Sequence, residues 1–145
     1  MKKILSLLLL LAIVSSFSCK KAIQNAEQSL LEKYFEKYVI GNNFVVTLAK
    51  DSSNDITSRY SGYTFVLLKT DLLHGPLQAN KGSNQYMGTW SSNDDYSKLV
   101  ISLPDSIPEF KFLSRNWRFT KKANPTLELA PWGSDAPIVL HMTHQ

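Results

Sequence analysis

Few side chains in this sequence are placed to do chemistry. Cys19 is the only cysteine among 145 residues, and it ends the apolar run of LAIVSSFSCKK just before Lys20 and Lys21. One cysteine cannot close a disulfide within the chain, so its thiol is free, paired between chains, or acylated. Its surroundings favour the last. Lys2 and Lys3 make a positive start, Ile4 to Phe17 form an apolar stretch of 14 residues, and Ser16 and Ser18 put small side chains three and one positions before the cysteine. That is the layout of a secretory signal peptide. A membrane-crossing helix needs about 20 apolar residues, and the two lysines interrupt this run sooner. Residues 1–18 therefore read as a removable signal rather than a permanent span.

Small residues before the cut suit ordinary signal cleavage, and the cysteine directly after them suits lipoprotein processing. The stretch resembles a bacterial lipobox, with Ser16 where leucine is commonest and Phe17 before Ser18. The resemblance implies that Cys19 becomes the first mature residue and is the lipid-attachment site, carrying palmitate-type acyl chains. Each buried methylene contributes about 0.8 kcal/mol, so more than one chain gives stable anchoring. The expected location is the envelope of a Gram-negative bacterium, as an outer-membrane lipoprotein facing the periplasm, with the membrane as a partner through acylated Cys19.

The other reactive types lack a setting. His141 and His144 are three apart, a spacing that a helix or a loose tail could bring to one metal but an extended strand would aim at opposite faces. No third ligand type stands nearby, and the plain expectation is a loose C-terminal tail. His74 precedes Gly75 and Pro76 and is expected to be solvated in a turn. Asp94 and Asp95, in SSNDDYS, lack the donor spacing and glycine of a calcium loop and read as a hairpin turn. No serine has a nucleophile-elbow context, and the six glycines are scattered rather than gathered in a phosphate loop. An enzyme is not indicated, nor is a cofactor or a metal.

Composition narrows the partners. The net charge is +4, of which Lys2 and Lys3 leave with the signal. The remaining lysines and arginines are spread along the chain instead of concentrated, which argues against nucleic acid. Removing residues 1–18 leaves 127 of the 145 residues, the size of one domain with a real core. The expected organisation is a signal at 1–18, a lipidated N-terminus and helix at 19–42, and a β domain at 43–145.

What positions the remaining residues is legible from periodicity. Residues 22–40 set Ile23, Ala26, Leu30, Leu31, Tyr34, Phe35, Tyr38 and Val39 at three- and four-residue intervals, one apolar stripe on a helix that should lie across the domain behind it. Gly41, Asn42 and Asn43 supply the stop. The period then falls to 2. Residues 44–50, 59–70, 75–80, 85–90, 98–103, 116–122, 126–130 and 137–143 read as eight strands, rich in β-branched and aromatic residues and separated by turn chemistry. Most separators are too short for a crossover helix, so neighbours should pair antiparallel. Such a meander exposes two edges unless it closes. The expected fold is mainly β: an N-terminal amphipathic helix, then an antiparallel eight-stranded up-and-down barrel, with 104–114 as a short helical turn or a lid over one end.

The order of FVVTL, SGYTFVL, MGTW, LVISL, NWRFT and TLEL after a lipoprotein-type signal resembles the small lipocalin-like lipoproteins of Gram-negative bacteria. The residues carrying the resemblance are Gly62, Tyr63 and Phe65; Gly88 and Trp90; and Trp117. It covers roughly residues 43–143 and implies a lipocalin-like barrel able to hold something apolar, mostly without assigned activity.

The aromatic residues are the remaining candidates: alternation aims Tyr63 and Phe65 to one face, and Trp117 with Phe119 likewise. Tyr63, Phe65, Trp90 and Trp117 are the candidate ligand-lining residues, although large apolar groups pointing inward also serve as plain core. Two functions follow. One is a membrane-tethered barrel that takes a small hydrophobic ligand; the other is a filled barrel acting as a structural or interaction lipoprotein with an unidentified protein partner. A hydrolase inhibitor using the loop at 104–114 ranks third.

Overall fold

The computed structural model describes residues 28–145. The signal segment and Cys19 lie outside the described residues, as does the first part of the expected helix, 22–27. No helix among the described residues is long and apolar enough to cross a membrane.

Helix α1 occupies 28–38. Phe35 and Val39, four residues apart, are fully buried, while Leu30 is 67% exposed. The stripe is thus used along its C-terminal half. The helix ends where the sequence predicts it: Gly41 takes φ of 73°, a conformation glycine adopts without a Cβ penalty, and the Asn42 amide donates to the Lys37 carbonyl at 3.1 Å.

Nine strands follow: β1 (Asn43–Asp51), β2 (Asn54–Asp55), β3 (Tyr63–Leu67), β4 (His74–Lys81), β5 (Asn84–Ser92), β6 (Lys98–Ser102), β7 (Asn116–Ala123), β8 (Thr126–Pro131) and β9 (Ile138–His144). β2 is a two-residue return of β1 in the KDSSND turn. The other eight pair antiparallel in the order β1-β3-β4-β5-β6-β7-β8-β9, and β9 pairs back onto β1 from Phe44↔His144 to Asp51↔Ile138. That last ladder closes the sheet into an eight-stranded barrel, joining the first and last strands that an open meander would leave as edges. Bulges in β1 between Val46 and Leu48 and in β7 between Phe119 and Lys121 add the local bend that closure needs.

Three expectations are corrected. The strand expected at 59–70 is shorter, because Thr57–Tyr60 form a 3-10 turn and residues beyond Leu67 enter a turn. His74 opens β4 rather than lying in a turn, with Nδ1 2.9 Å from Asp71 Oδ2. His141 and His144 are in β9 rather than a loose tail: hydrogen bonds to β1 and β8 hold the strand, and Gln145 N–H still donates to the Asn43 carbonyl at 3.0 Å. Three apart on a strand, the two imidazoles project to opposite faces.

The barrel ends are closed differently. α1 covers the end where β3 and β5 finish: Gly41 N–H donates to Leu67 O at 2.8 Å, and the Phe35 ring sits 5.7 Å from Trp90 and 5.0 Å from Tyr96. Helix α2 (Phe110–Leu113) covers the end where β3, β5 and β7 begin. Phe110 lies 5.4 Å from Tyr63 and 5.3 Å from Tyr86, and Phe112 lies 5.7 Å from Trp117. Both expectations for 104–114, a helical turn and a cover over one end, describe this segment.

Candidate functional site: an aromatic barrel interior with an inserted plug

The barrel wall is incomplete at the α2 end, and residues outside the strands fill it. β5 and β6 pair only from Thr89 to Ser92, and β6 and β7 only across Lys98 to Val100. The first half of β5, Asn84–Gly88, is therefore flanked by the segment 103–115 instead of a strand. Gly88 makes this possible. A Cβ there would stand 2.1 Å from the Ser102 carbonyl oxygen, so only glycine lets β6 swing across β5 at this point.

The segment is tied as a loop with its apolar side chains inward. Leu103 N–H donates to Ser114 Oγ at 3.0 Å, joining the two ends. Phe110 and Leu113 are buried, as is Phe112. On the other side of β3, the wall between β1 and β3 is held by only two residue pairs, Asn43↔Val66 and Phe44↔Phe65. The 3-10 turn fills that gap, with Ile56 N–H donating to Ala49 O at 2.9 Å and Ala49 N–H to Thr57 Oγ1 at 2.9 Å. Tyr60 then reaches across and donates to the Glu109 carbonyl at 2.9 Å. The two fillers meet over the same barrel end.

All four candidate lining residues point into the core: Tyr63, Phe65, Trp90 and Trp117 are buried. They do not form one patch. Tyr63 and Phe65 stack at 5.8 Å and share Phe110; Trp117 joins them through Phe112 and Tyr60. Trp90 belongs to the α1 end with Phe35 and Tyr96. Each indole is anchored by its own N–H, Trp90 to the Leu68 carbonyl at 2.7 Å and Trp117 to the Leu113 carbonyl at 2.9 Å. A bond from Trp117 to α2 makes the tryptophan part of what holds the plug.

Three members of this site were not marked by sequence reasoning. Phe35 reads only as part of a helix stripe, although it is the ring that α1 inserts. Tyr96 sits in a polar turn, where its φ of 54° is unusual for a bulky residue and is held by the side chains of Asn93 and Asp95 bonding to Ser97 and Lys98. Arg115, between α2 and β7, lies over the rings of Phe112 and Trp117, 4.8 and 5.2 Å from their centroids. A charged residue between two aromatic positions, at the start of a strand, was the available signal.

Burial sets the electrostatics of the interior. Desolvation raises the phenols of Tyr34, Tyr63 and Tyr96 above their ordinary value, and that of Tyr60 by a wide margin despite the opposing charges of Arg59 and Arg115. All are protonated at physiological pH, and the Tyr60 hydroxyl uses its proton to donate to the Glu109 carbonyl. Among the described residues no group of three or more His, Cys, Asp or Glu side chains is placed to hold a metal ion.

Two open crevices lie on the outside. One, of about 430 Å³, runs over β4, β5 and β6, where Pro76, Thr89, Ser91 and Val100 contribute. The other, of about 340 Å³, lies between α1 and the turns at 71–73 and 94–96 and is lined by Glu32, Asp71, Asp94 and Tyr96. Neither is an entrance lined by the interior aromatic set, Trp90 and Tyr96 apart.

The fold and site define a closed antiparallel eight-stranded β-barrel with a buried aromatic cluster and helical covers at both ends. Comparison with protein-family models, with curated proteins and with solved structures gave no match for this chain.

Proposed function

We propose that this is a lipocalin-like, up-and-down barrel lipoprotein of the Gram-negative envelope, tethered to the outer membrane through acylated Cys19, that binds a small apolar ligand without catalysing a reaction. The observation that carries the reading is the composition of the α2 end. There the wall between β5 and β7 is made by the loop 103–115, whose Phe110 and Phe112 occupy the interior. Side chains that enter as a plug on a loop can leave as one, whereas a ring fixed on a central strand cannot. A ligand of similar bulk would take their place against Tyr63, Phe65 and Trp117. The ring contacts it would replace contribute about 0.5–1.5 kcal/mol each beyond the burial of the rings, so the ligand must restore a comparable buried apolar area as well as those contacts.

A second reading is supported by the bonded indoles of Trp90 and Trp117, which behave as ordinary core donors. In it the barrel is filled and the protein is a structural or interaction lipoprotein. Native mass spectrometry of the purified chain separates the two. A reproducible added mass lost on denaturation supports the carrier. A bare polypeptide mass that stays bare after incubation with membrane lipid extract favours the filled barrel.

A further inference from the structure

Among the described residues Arg115 is a cation with no ion-paired carboxylate. Its Nε is sealed from solvent and has no hydrogen-bond partner. Its guanidinium carbon lies over Phe112 and Trp117. Ring faces attract the charge, but they do not replace an oxygen acceptor for the N–H groups in the guanidinium plane. A buried donor left unmade costs about 1–3 kcal/mol, more when charged.

The position is as informative as the chemistry. Arg115 follows α2 directly, and its own backbone is committed: its N–H donates to Leu113 O at 2.9 Å and its carbonyl accepts from Ile101 N–H at 3.1 Å. The side chain is thus held at the plugged end, between the residue that closes the loop and the tryptophan that anchors it. A planar fork with uncommitted donors matches a carboxylate or a phosphate in two parallel hydrogen bonds.

We propose that Arg115 is an oxyanion-binding site that takes the carboxylate or phosphate head group of an amphiphile, whose apolar part displaces Phe110 and Phe112. This rests on the ligand-binding reading above and gives the ligand a head group and an orientation, with the charged end at the α2 mouth.

The test uses the full-length protein and three probes of one chain length: hexanoate, hexyl phosphate and hexanol. In ¹⁵N-resolved NMR the sealed Arg115 Nε–H should move further downfield with one or both anions than with hexanol, which removes the Phe112 ring face but offers no anionic acceptor. The favoured anion should bind at least tenfold tighter than hexanol, and the stronger of the two names the head group. Arg115→Gln should bring all three to one affinity, while Arg115→Lys, which keeps the charge but loses the fork, should keep part of the preference. An Nε–H that moves no further with either anion than with hexanol, or equal affinities in the wild-type protein, overturns the proposal. If hexanol binds as well as the anions, only the head-group site falls and ligand binding stands; if none of the three binds, both fall. Because the resonance is read in the wild-type chain, a variant that fails to fold leaves the result intact.

Discussion

The Tyr60 hydroxyl donates to the backbone carbonyl of Glu109 at 2.9 Å, linking residues 49 positions apart. This bond joins the 3-10 turn that seals one weak seam of the wall to the loop that seals the other. Neither sealing segment is a strand, so neither is held by a long ladder. The pair acts as a clasp over the end of the barrel where β3, β5 and β7 begin.

Removing the clasp should loosen the plug more than the fold. Tyr60→Phe keeps the ring contacts with Phe65 and Phe112 and strands one carbonyl, a loss of about 1 kcal/mol. Hydrogen exchange at Phe110–Ser114 should accelerate several-fold, while amides in the β1–β9 ladder should keep their protection. Equal acceleration in both places would mean that the bond supports the whole barrel.

The opposite cover should be the more costly to damage. Phe35 is fully buried against Trp90, Tyr96 and Phe119, so Phe35→Ala leaves a cavity and should cost about 3–5 kcal/mol in urea or thermal unfolding. Glu36→Ala, which removes the surface ion pair with Lys69, should cost less than about 1 kcal/mol. A Phe35→Ala loss as small as that would show that α1 is not seated on the barrel.

At Gly88 a single methyl should be disruptive. Its Cβ would meet the Ser102 carbonyl, a backbone atom that cannot turn away, so Gly88→Ala should cost about 2–3 kcal/mol by overpacking. The same change at Gly82, where nothing lies within 4 Å of a built Cβ, meets no neighbour and is disfavoured only by its φ of 58°. Paired thermal melts of the two variants check the contrast.

High pH should weaken the fold. Burial holds the Tyr60 phenol, and less strongly Tyr34, Tyr63 and Tyr96, above the ordinary value of 10.0. Below that pH these phenols are protonated in both states and contribute no slope. Above it the unfolded chain releases protons that the folded one keeps, so the unfolded state binds fewer and stability falls as pH rises. Urea midpoints measured from pH 8 to about 11 should decline beyond pH 10, with a shallower decline in Tyr60→Phe.

How far the sequence could be read depends on where one period suffices. Eight strands follow from alternation and turn residues because each is half buried, and the stop at Gly41 and Asn42 follows from cap chemistry. Alternation fails at the bulges. In β1 it would align Leu48 with Phe44 and Val46, but the bulge after Val46 turns Ala49 inward instead. It is silent on Tyr96, which sits among polar turn residues, and it misplaces Tyr60, which the expected strand 59–70 aims to the face opposite Tyr63 and Phe65 but which the 3-10 turn buries. Trp132, the third tryptophan of the chain, lies outside the interior, 41% exposed with the Lys98 ammonium over its ring. The plug's apolar residues were visible in PDSIPEFKFLS, but not the seam they fill, because strand pairing lengths are set by the whole barrel.

The membrane tether has its own outcome. Protein recovered from membranes should have lost residues 1–18 and gained acyl mass at Cys19, and Cys19→Ser should move the protein to the soluble fraction with its barrel intact. An unacylated mature mass in the wild type would make this an exported soluble protein.

The central claim, that the interior takes a small apolar ligand where the plug sits, is tested most directly by the tryptophans. In Trp132→Phe the remaining indoles, Trp90 and Trp117, are both inside the barrel, so their fluorescence reports the interior alone. Titration with hexanol or a similar small apolar probe should give a saturable change with one site per chain, accompanied by faster hydrogen exchange at Phe110–Leu113. An emission spectrum that never changes up to the probe's solubility limit, with exchange at α2 unaltered, would contradict it and leave a permanently filled barrel.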